Sequence, residues 1–588
     1  LALLLPTGIL KNALRRSTMD FNQLLKSARS VDSNGFRKVK LAILGDYSTQ
    51  FLHKALRAQG LIRKADLEIY EADYDQINSE IINTASGLYK FQPQYVLITR
   101  SVLKLQENFY STADKENFFL HEISRIRELI NTIAENGLAA RIIFTTNELT
   151  DDAVFGNYYA KTAVSFYHQM CRLNNAMLDL AGDSENVFLC DINKLILRKG
   201  FAYARDWSLV INSDLLYALD FHVDLSEEII RLILCFEGVF HKCLILDLDN
   251  TLWGGIIGDD GIDQIQIGAF GIGKAFSRLQ KWAKQLKNRG VILAVCSKNT
   301  EEIAKAPFLH HPEMELKMED ISVFVANWDN KADNIRYIQS VLNIGFDAMV
   351  FVDDNPAERE LIRRELPGVT VPEMPADPAL YLDYLTGMNL FETTSFSETD
   401  LKRTLQYQAE SQRKAFQQTF RNMDEYLASL EMKGSVKPFE ANDFPRIAQL
   451  SQRSNQFNLR TIRYTPDEIS HMASDPAFLT YAVNLGDKFG DYGLISIVIV
   501  RLIDGDQAFI DTWIMSCRVL KRDVEKYVLN KMVADLQSRN IPFLQGEYRP
   551  TEKNALVKNH YADLGFSEKD GFWNLNTKNY LPFNHSIG

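Results

Sequence analysis

A chain of 588 residues is too long for one hydrophobic core, because single cores stop growing near ~250 to 300 residues, so three or four domains are expected. Hydrophobic residues at 46% and charged residues at 24% are globular proportions that compel no large part to be disordered. A net charge of -11 argues against nucleic acid or an anionic membrane as partner, since counterion release needs a basic face.

The opening run, LALLLPTGILKNALRRSTM, places apolar residues before a basic cluster, the reverse of a secretory signal, and is too short to cross a bilayer. No Met precedes Met19, which suggests an upstream extension or a misassigned start, and residues 1–37 are set apart as an N-terminal segment. The six cysteines, at 171, 190, 235, 243, 296 and 517, contain no CxxC pair. That pattern suits a reduced, cytoplasmic protein without structural zinc. No later stretch approaches the ~18 uninterrupted apolar residues of a membrane helix.

Residues 38–239 alternate buried-looking strands (VKLAILGDY, YVLITRS, ARIIFTTNE, NVFLCDI) with helical spacing such as FFLHEISRIRELINTIAENG. Alternation of this kind predicts a doubly wound parallel sheet. A second cycle, 240–380, runs through KCLILDLDNT, VILAVCSKNT, ISVFVANW and AMVFVDDNP, with polar residues collecting at strand ends. Residues 381–433 read as a solvated helical linker, lacking Gly and Pro from 397 to 432. Residues 434–588, with LTYAVNLGD, GLISIVIVRL and AFIDTWIMS before a helix, predict an α+β unit with a mostly antiparallel sheet.

The chemistry concentrates in the second cycle. Asp247 and Asp249 follow the Leu/Ile strand, and a strand end can aim both carboxylates into one crevice. Alone, such a pair is more often two exposed loop carboxylates; a hard divalent cation such as Mg²⁺ would relieve their repulsion. Three later features favour the metal. Ser297 ends a second apolar strand with a hydroxyl suited to a phosphate oxygen, Lys331 opens a helix and can neutralise phosphate charge, and Asp353 and Asp354 end a further strand as additional metal ligands. Asp, Ser, Lys and Asp at successive strand ends form a kit for phosphoryl transfer.

The DxDxT run at Asp247, Asp249 and Thr251, with Ser297, Lys331 and Asp353-Asp354, resembles the four motifs of the haloacid dehalogenase (HAD) phosphotransferases. The resemblance implies that Asp247 is the nucleophile, forming an aspartyl phosphate, and that Asp249 is the general acid and base. It implies Mg²⁺ held by Asp247, the Asp249 backbone carbonyl and Asp354 with Asp353 in support, and phosphate gripped by Thr251, Ser297 and Lys331. Asn299 and Asn327 are expected to touch substrate. Between Asp249 and Ser297 lie 47 residues (297 − 249 − 1), room for a flap and a helix but not for a large cap domain.

LDLDNTLWGGIIGDDG, AVCSKN, FVANWDNKADNI and FVDDNPAERELIR, with RSNQFNLRTIRYT, KFGDYGLI and IDTWIMSCRVL farther on, resemble the FkbH-like branch of that superfamily. The branch implies loading of an acyl carrier protein from 1,3-bisphosphoglycerate with loss of phosphate, and gives Cys296 the role of an acyl-accepting thiolate. Strand alternation speaks against that role, because Ser297 and Cys296 should face opposite ways. A plain phosphatase on a sugar or acid phosphate and a non-catalytic carrier-docking scaffold are the alternatives.

The flanks resemble other families. LAILGDYSTQFL is similar to the first block of SGNH hydrolases, with Tyr47 where the serine would stand and Ser48 one residue on, and Asp220 and His222 resemble its Asp/His block. A degenerate scaffold serving as lid or docking surface is expected. NALVKNHYADLGF resembles the tail of GNAT acyltransferases, but the pyrophosphate loop reads RVLKRD, with Lys521 and Asp523 replacing two small residues. CoA binding is therefore not expected; a carrier's phosphopantetheine arm is the proposed alternative.

Overall fold

A computed structural model describes residues 19–396, 403–417, 419–454, 456–503, 505–551 and 553–588. Residues 1–18 of the N-terminal segment and part of the expected linker lie outside the described residues. The chain forms two compact units, Leu1–Leu234 and Cys235–Gly588.

The first unit carries five strands: β1 Arg37–Gly45, β2 Ala65–Glu71, β3 Tyr95–Thr99, β4 Arg141–Thr145 and β5 Val187–Cys190. All pair in parallel in the order β2-β1-β3-β4-β5, the flavodoxin-type arrangement of a doubly wound sheet. Alternate residues Ala42, Leu44, Val96, Ile98, Ile142 and Phe144 share a core with helices α1 (Val102–Ser111), α2 (Phe118–Glu135) and α3 (Phe166–Asp183). The central strand β3 is buried at every residue, as a sheet covered on both faces requires. Four of the five strands match the apolar runs. The fifth, β2, alternates Ala65, Leu67 and Ile69 with Asp66 and Glu68 at a sheet edge, so no continuous apolar run announces it.

In the second unit, β6 Cys243–Leu246, β7 Ile292–Ser297, β8 Val323–Ala326 and β9 Met349–Val352 form a parallel sheet ordered β8-β7-β6-β9. Every residue of β6, β7 and β9 is buried. The strand order reverses between β6 and β9, the switch point where open α/β sheets place ligands. Helices α4 (Gly273–Asn288), α5 (Glu301–His310), α6 (Lys331–Leu342) and α7 (Pro356–Glu365) complete this layer.

The unit also contains a second, seven-stranded sheet ordered β10-β11-β12-β13-β14-β16-β15, built from β10 Lys433–Lys437, β11 Phe478–Asp487, β12 Gly490–Ile503, β13 Gln507–Met515, β14 Phe543–Gly546, β15 Ser567–Lys569 and β16 Phe572–Asn576. Only the β13–β14 pair is parallel. The expected mostly antiparallel α+β unit is therefore what forms.

The expected linker differs from the solvated helix read from its composition. Tyr381, Leu385 and Phe391 belong to the core around β6 and β7. Helix α8 (Arg403–Gln417) buries Tyr407 among residues of β6, β9 and α6. From the same helix the buried guanidinium of Arg413 makes a two-nitrogen contact with Asp487 of β11, at 2.8 and 2.7 Å. In this helix Glu410, paired with Arg522, and Arg413 are thus spent on internal partners rather than on water. That is why charge composition alone mistook it for an exposed connection.

Candidate active site

Four strand ends deliver the polar groups. Pairing of Leu246 with both Val295 and Val352 brings the residues after β6 and β9 into step, and the Asp247 amide donates to the Val352 carbonyl at 3.0 Å. Lys331, the first residue of α6, enters from beyond β8. The Asn330 side chain caps that helix by accepting from the Ala332 amide at 2.7 Å. The buried Lys331 ammonium lies 2.9 Å from Asp247 Oδ1 and 2.6 Å from Asp353 Oδ2.

Asp247, Asp353 and Asp354 each offer a carboxylate oxygen, and those atoms all lie within 4.8 Å of one another. Three carboxylates against one ammonium leave negative charge in a largely buried place. Burial pushes the Asp247 carboxyl up against the pull of Lys331. Burial, then the Asp247 charge, pushes Asp353 up to about 6, and burial with the Asp353 charge raises Asp354. Burial also works against the Lys331 ammonium, but Asp247 and Asp353 outweigh it and hold its pKa above the ordinary value. The imbalance is what a divalent cation would correct, and a small set of converging carboxylate oxygens suits Mg²⁺.

Second contacts hold this cluster in shape. The Asp353 Oδ1 accepts from the Asn355 amide at 2.8 Å, and the Asp354 amide donates to Thr251 Oγ1 at 3.2 Å. Arg359, buried in α7, donates to the carbonyls of Asp353 and Asp354 at 2.9 and 2.6 Å and is paired with Glu373. Its sequence context, a helix with alternating charges, gave no signal for this role. Thr251 thus supports the cluster through the Asp354 amide, beyond its expected contact with phosphate.

Other expected residues are placed differently. Ser297 ends β7, buried, at the same sheet edge. The Asp249 carboxylate lies outside the acidic cluster: Oδ1 accepts from Trp253 Nε1 at 2.9 Å and from the Ile257 amide at 3.0 Å, and Oδ2 from Asn299 Nδ2 at 3.2 Å. Asn299, expected to touch substrate, is buried and turned onto Asp249. Asn327 is likewise committed, exchanging side-chain hydrogen bonds with Asn334 at 3.1 and 2.7 Å. Beside it Trp328 is 73% exposed.

Cys296 is a correction. Alternation along β7 turns its side chain away from the Ser297 side and into the apolar layer of Ala332, Ile335 and Phe351. The thiol has no exposure, Sγ lies 3.8 Å from the Lys331 carbonyl, and burial pushes it up to about 12. A thiol so placed can neither ionise readily nor meet an acyl donor.

In the first unit, Tyr47 is buried with its hydroxyl 2.8 Å from Thr99 Oγ1. The Nδ1 of His222 faces the Ala218 carbonyl at 3.0 Å, and Asp220 accepts from the Phe21 amide. A serine–histidine–aspartate relay needs histidine between hydroxyl and carboxylate, and His222 is hydrogen-bonded to neither. Near the C-terminal sheet, Arg518 is paired with Gln406 and Arg522 with Glu410 at 2.8 Å, so both loop guanidinia are already answered by α8.

Among the described residues, no helix is long and apolar enough to cross a membrane. Comparison with known families matches residues 40–234 to the FkbH N-terminal domain. Among solved structures, the N-terminal part of the protein BF1531 from Bacteroides fragilis, containing a phosphatase domain complexed with Mg, is 43% identical, with a TM-score of 0.61 over 64% of this chain and 100% of that one. The ribosomal-protein-S18-alanine N-acetyltransferase of Escherichia coli is similar at 16% identity and a TM-score of 0.20, over 24% of this chain and 94% of that one. The GNAT domain of S. lividans PAT gives 16% and 0.20 over 24% and 90%. No curated protein matches the chain. Extended over the whole length of a relative at 43% identity, and joined to the FkbH match and the four strand-end motifs, the likeness shows that the chain belongs to the FkbH-like family of the HAD superfamily.

Proposed function

We propose that the protein is a Mg²⁺-dependent phosphatase working through an aspartyl phosphate. The observation that carries the reading is Lys331 bridging Asp247 and Asp353 within the same pocket as Asp354. Mg²⁺ would be held by Asp247, Asp353 and Asp354 and would supply charge neutralisation for the transferring phosphoryl group. Asp247 attacks phosphorus, the bond to the leaving oxygen breaks, and Asp249 gives that oxygen its proton. Asp249 then takes a proton from the water that attacks phosphorus, releasing phosphate and restoring Asp247. Lys331 pulls the buried nucleophile toward its ionised form and balances phosphate charge. Ser297, buried at the end of β7, is assigned to a phosphate oxygen.

The finer reading is that the substrate is a phosphorylated glyceryl donor such as 1,3-bisphosphoglycerate and the acceptor an acyl carrier protein. FkbH-like membership supports it. With Cys296 packed away, the carrier's own phosphopantetheine thiolate would attack the acyl carbonyl of 1,3-bisphosphoglycerate directly, forming a thioester and expelling inorganic phosphate from C1, and the HAD site would remove the phosphate left on C3. Hydrolysis of an aryl phosphate with Mg²⁺ should fall at least about 1,000-fold in Asp247→Asn; undiminished turnover would discard the nucleophile assignment. Incubation with 1,3-bisphosphoglycerate and a phosphopantetheinylated carrier, read by intact-protein mass spectrometry, should show a glyceryl adduct. Phosphate release without an adduct would leave the plain phosphatase.

A further inference from the structure

The two oxygens of Asp249 are unequal. Oδ1 receives two donors, the Trp253 indole and the Ile257 amide, which together use both of its in-plane lone pairs. Oδ2 receives one, from Asn299, and keeps a lone pair open. Both side-chain donors are themselves fixed. Trp253 is fully buried, edge-on to Phe308 of α5 with ring centroids 6.1 Å apart, and the Asn299 Oδ1 accepts from the Thr300 amide at 2.9 Å. Asp249 is thus tied at once to the segment following its own strand and to the end of β7.

We propose that Trp253 and Asn299 are positioning residues for Asp249, with Oδ1 the anchored oxygen and Oδ2 the one that carries the proton to and from the leaving group. The proposal rests on the acid–base role given to Asp249 above. Their side-chain hydrogen bonds go to Asp249 and not to the acidic cluster, so the role assigned to each is the orientation of that carboxylate. An indole N–H is a donor only, which suits an anchor: it cannot compete for the proton that Oδ2 must pass. Asn299 presents its amide nitrogen to Oδ2 because its oxygen is already committed to the backbone.

A misaimed acid hurts substrates in proportion to how badly their leaving group needs a proton. The test compares kcat/KM for an alkyl phosphate and for 4-nitrophenyl phosphate, with Mg²⁺, in the full-length wild type, Trp253→Phe and Asn299→Ala, with melting temperatures taken alongside. Both variants should lose at least about tenfold on the alkyl ester and less than about threefold on the nitrophenyl ester, whose leaving group departs without a proton. Equal losses on both esters, or none, would overturn the positioning role even in a folded enzyme. Asn299→Ala removes little volume and keeps the inference testable if Trp253→Phe unfolds. A wild type inactive on both esters would instead overturn the phosphatase reading, and this inference with it.

Discussion

Two parallel sheets in this chain place polar residues at their strand C-termini, and they use them in opposite ways. In the first unit the groups answer one another. Tyr47, Thr99 and Thr145 form a hydroxyl chain at 2.8 and 3.0 Å, Asp46 accepts from the Ser101 amide at 2.6 Å, and Arg205 pairs with Glu148 at 2.5 Å with both side chains almost fully buried. At the ends of β6 and β9, three carboxylates face one ammonium. The difference teaches that a polar strand end becomes a candidate reaction site when its charges do not close among themselves.

The sharpest way to break that comparison is Arg205→Met. In a closed network it strands a buried Glu148, so the first unit should lose about 3 to 5 kcal/mol in denaturant unfolding while phosphate hydrolysis by the folded protein is unchanged. A loss of turnover without a loss of stability would mean that the first unit carries chemistry after all.

A smaller effect concerns His222. Burial lowers its pKa from 6.5 to about 4, so the folded state refuses a proton that the unfolded state accepts. Stability is then untouched above pH 6.5 and falls as pH drops toward 4, by about 1.4 kcal/mol per unit at most. His222→Leu should flatten that part of the pH profile; an unchanged slope would show that other groups set it.

The smallest effect expected is at Cys296. Cys296→Ala removes a buried sulfur from an apolar layer, costing about 1 kcal/mol, and should leave both hydrolysis and any carrier loading intact. Failure of loading alone in a stable variant would restore the thiol to the mechanism.

Much of the site was legible because the strands that deliver it are unbroken apolar runs ending in charge: LILDLD, VILAVCSKN and AMVFVDDN mark β6, β7 and β9 without ambiguity. The strand β2 was missed because its solvent-facing alternation dilutes the run. The burial of Cys296 was foreshadowed by period-two alternation, whereas the turning of Asn299 onto Asp249 depends on a contact across 50 residues of sequence that no local pattern encodes. Trp253 stood inside the motif with nothing to distinguish a core indole from one that also donates. Helix α8 was misjudged because the partners of Arg413 and Tyr407 lie in other parts of the fold.

The unbalanced charge at β6 and β9 is tested most directly by titrating Mg²⁺ into the intact protein by calorimetry, beside Asp354→Asn. One ion per chain should bind the wild type, and the variant should bind at least about tenfold more weakly. A wild type that takes up no magnesium, or an Asp354→Asn variant that binds it equally well, would contradict the assignment of this cluster as a cation site.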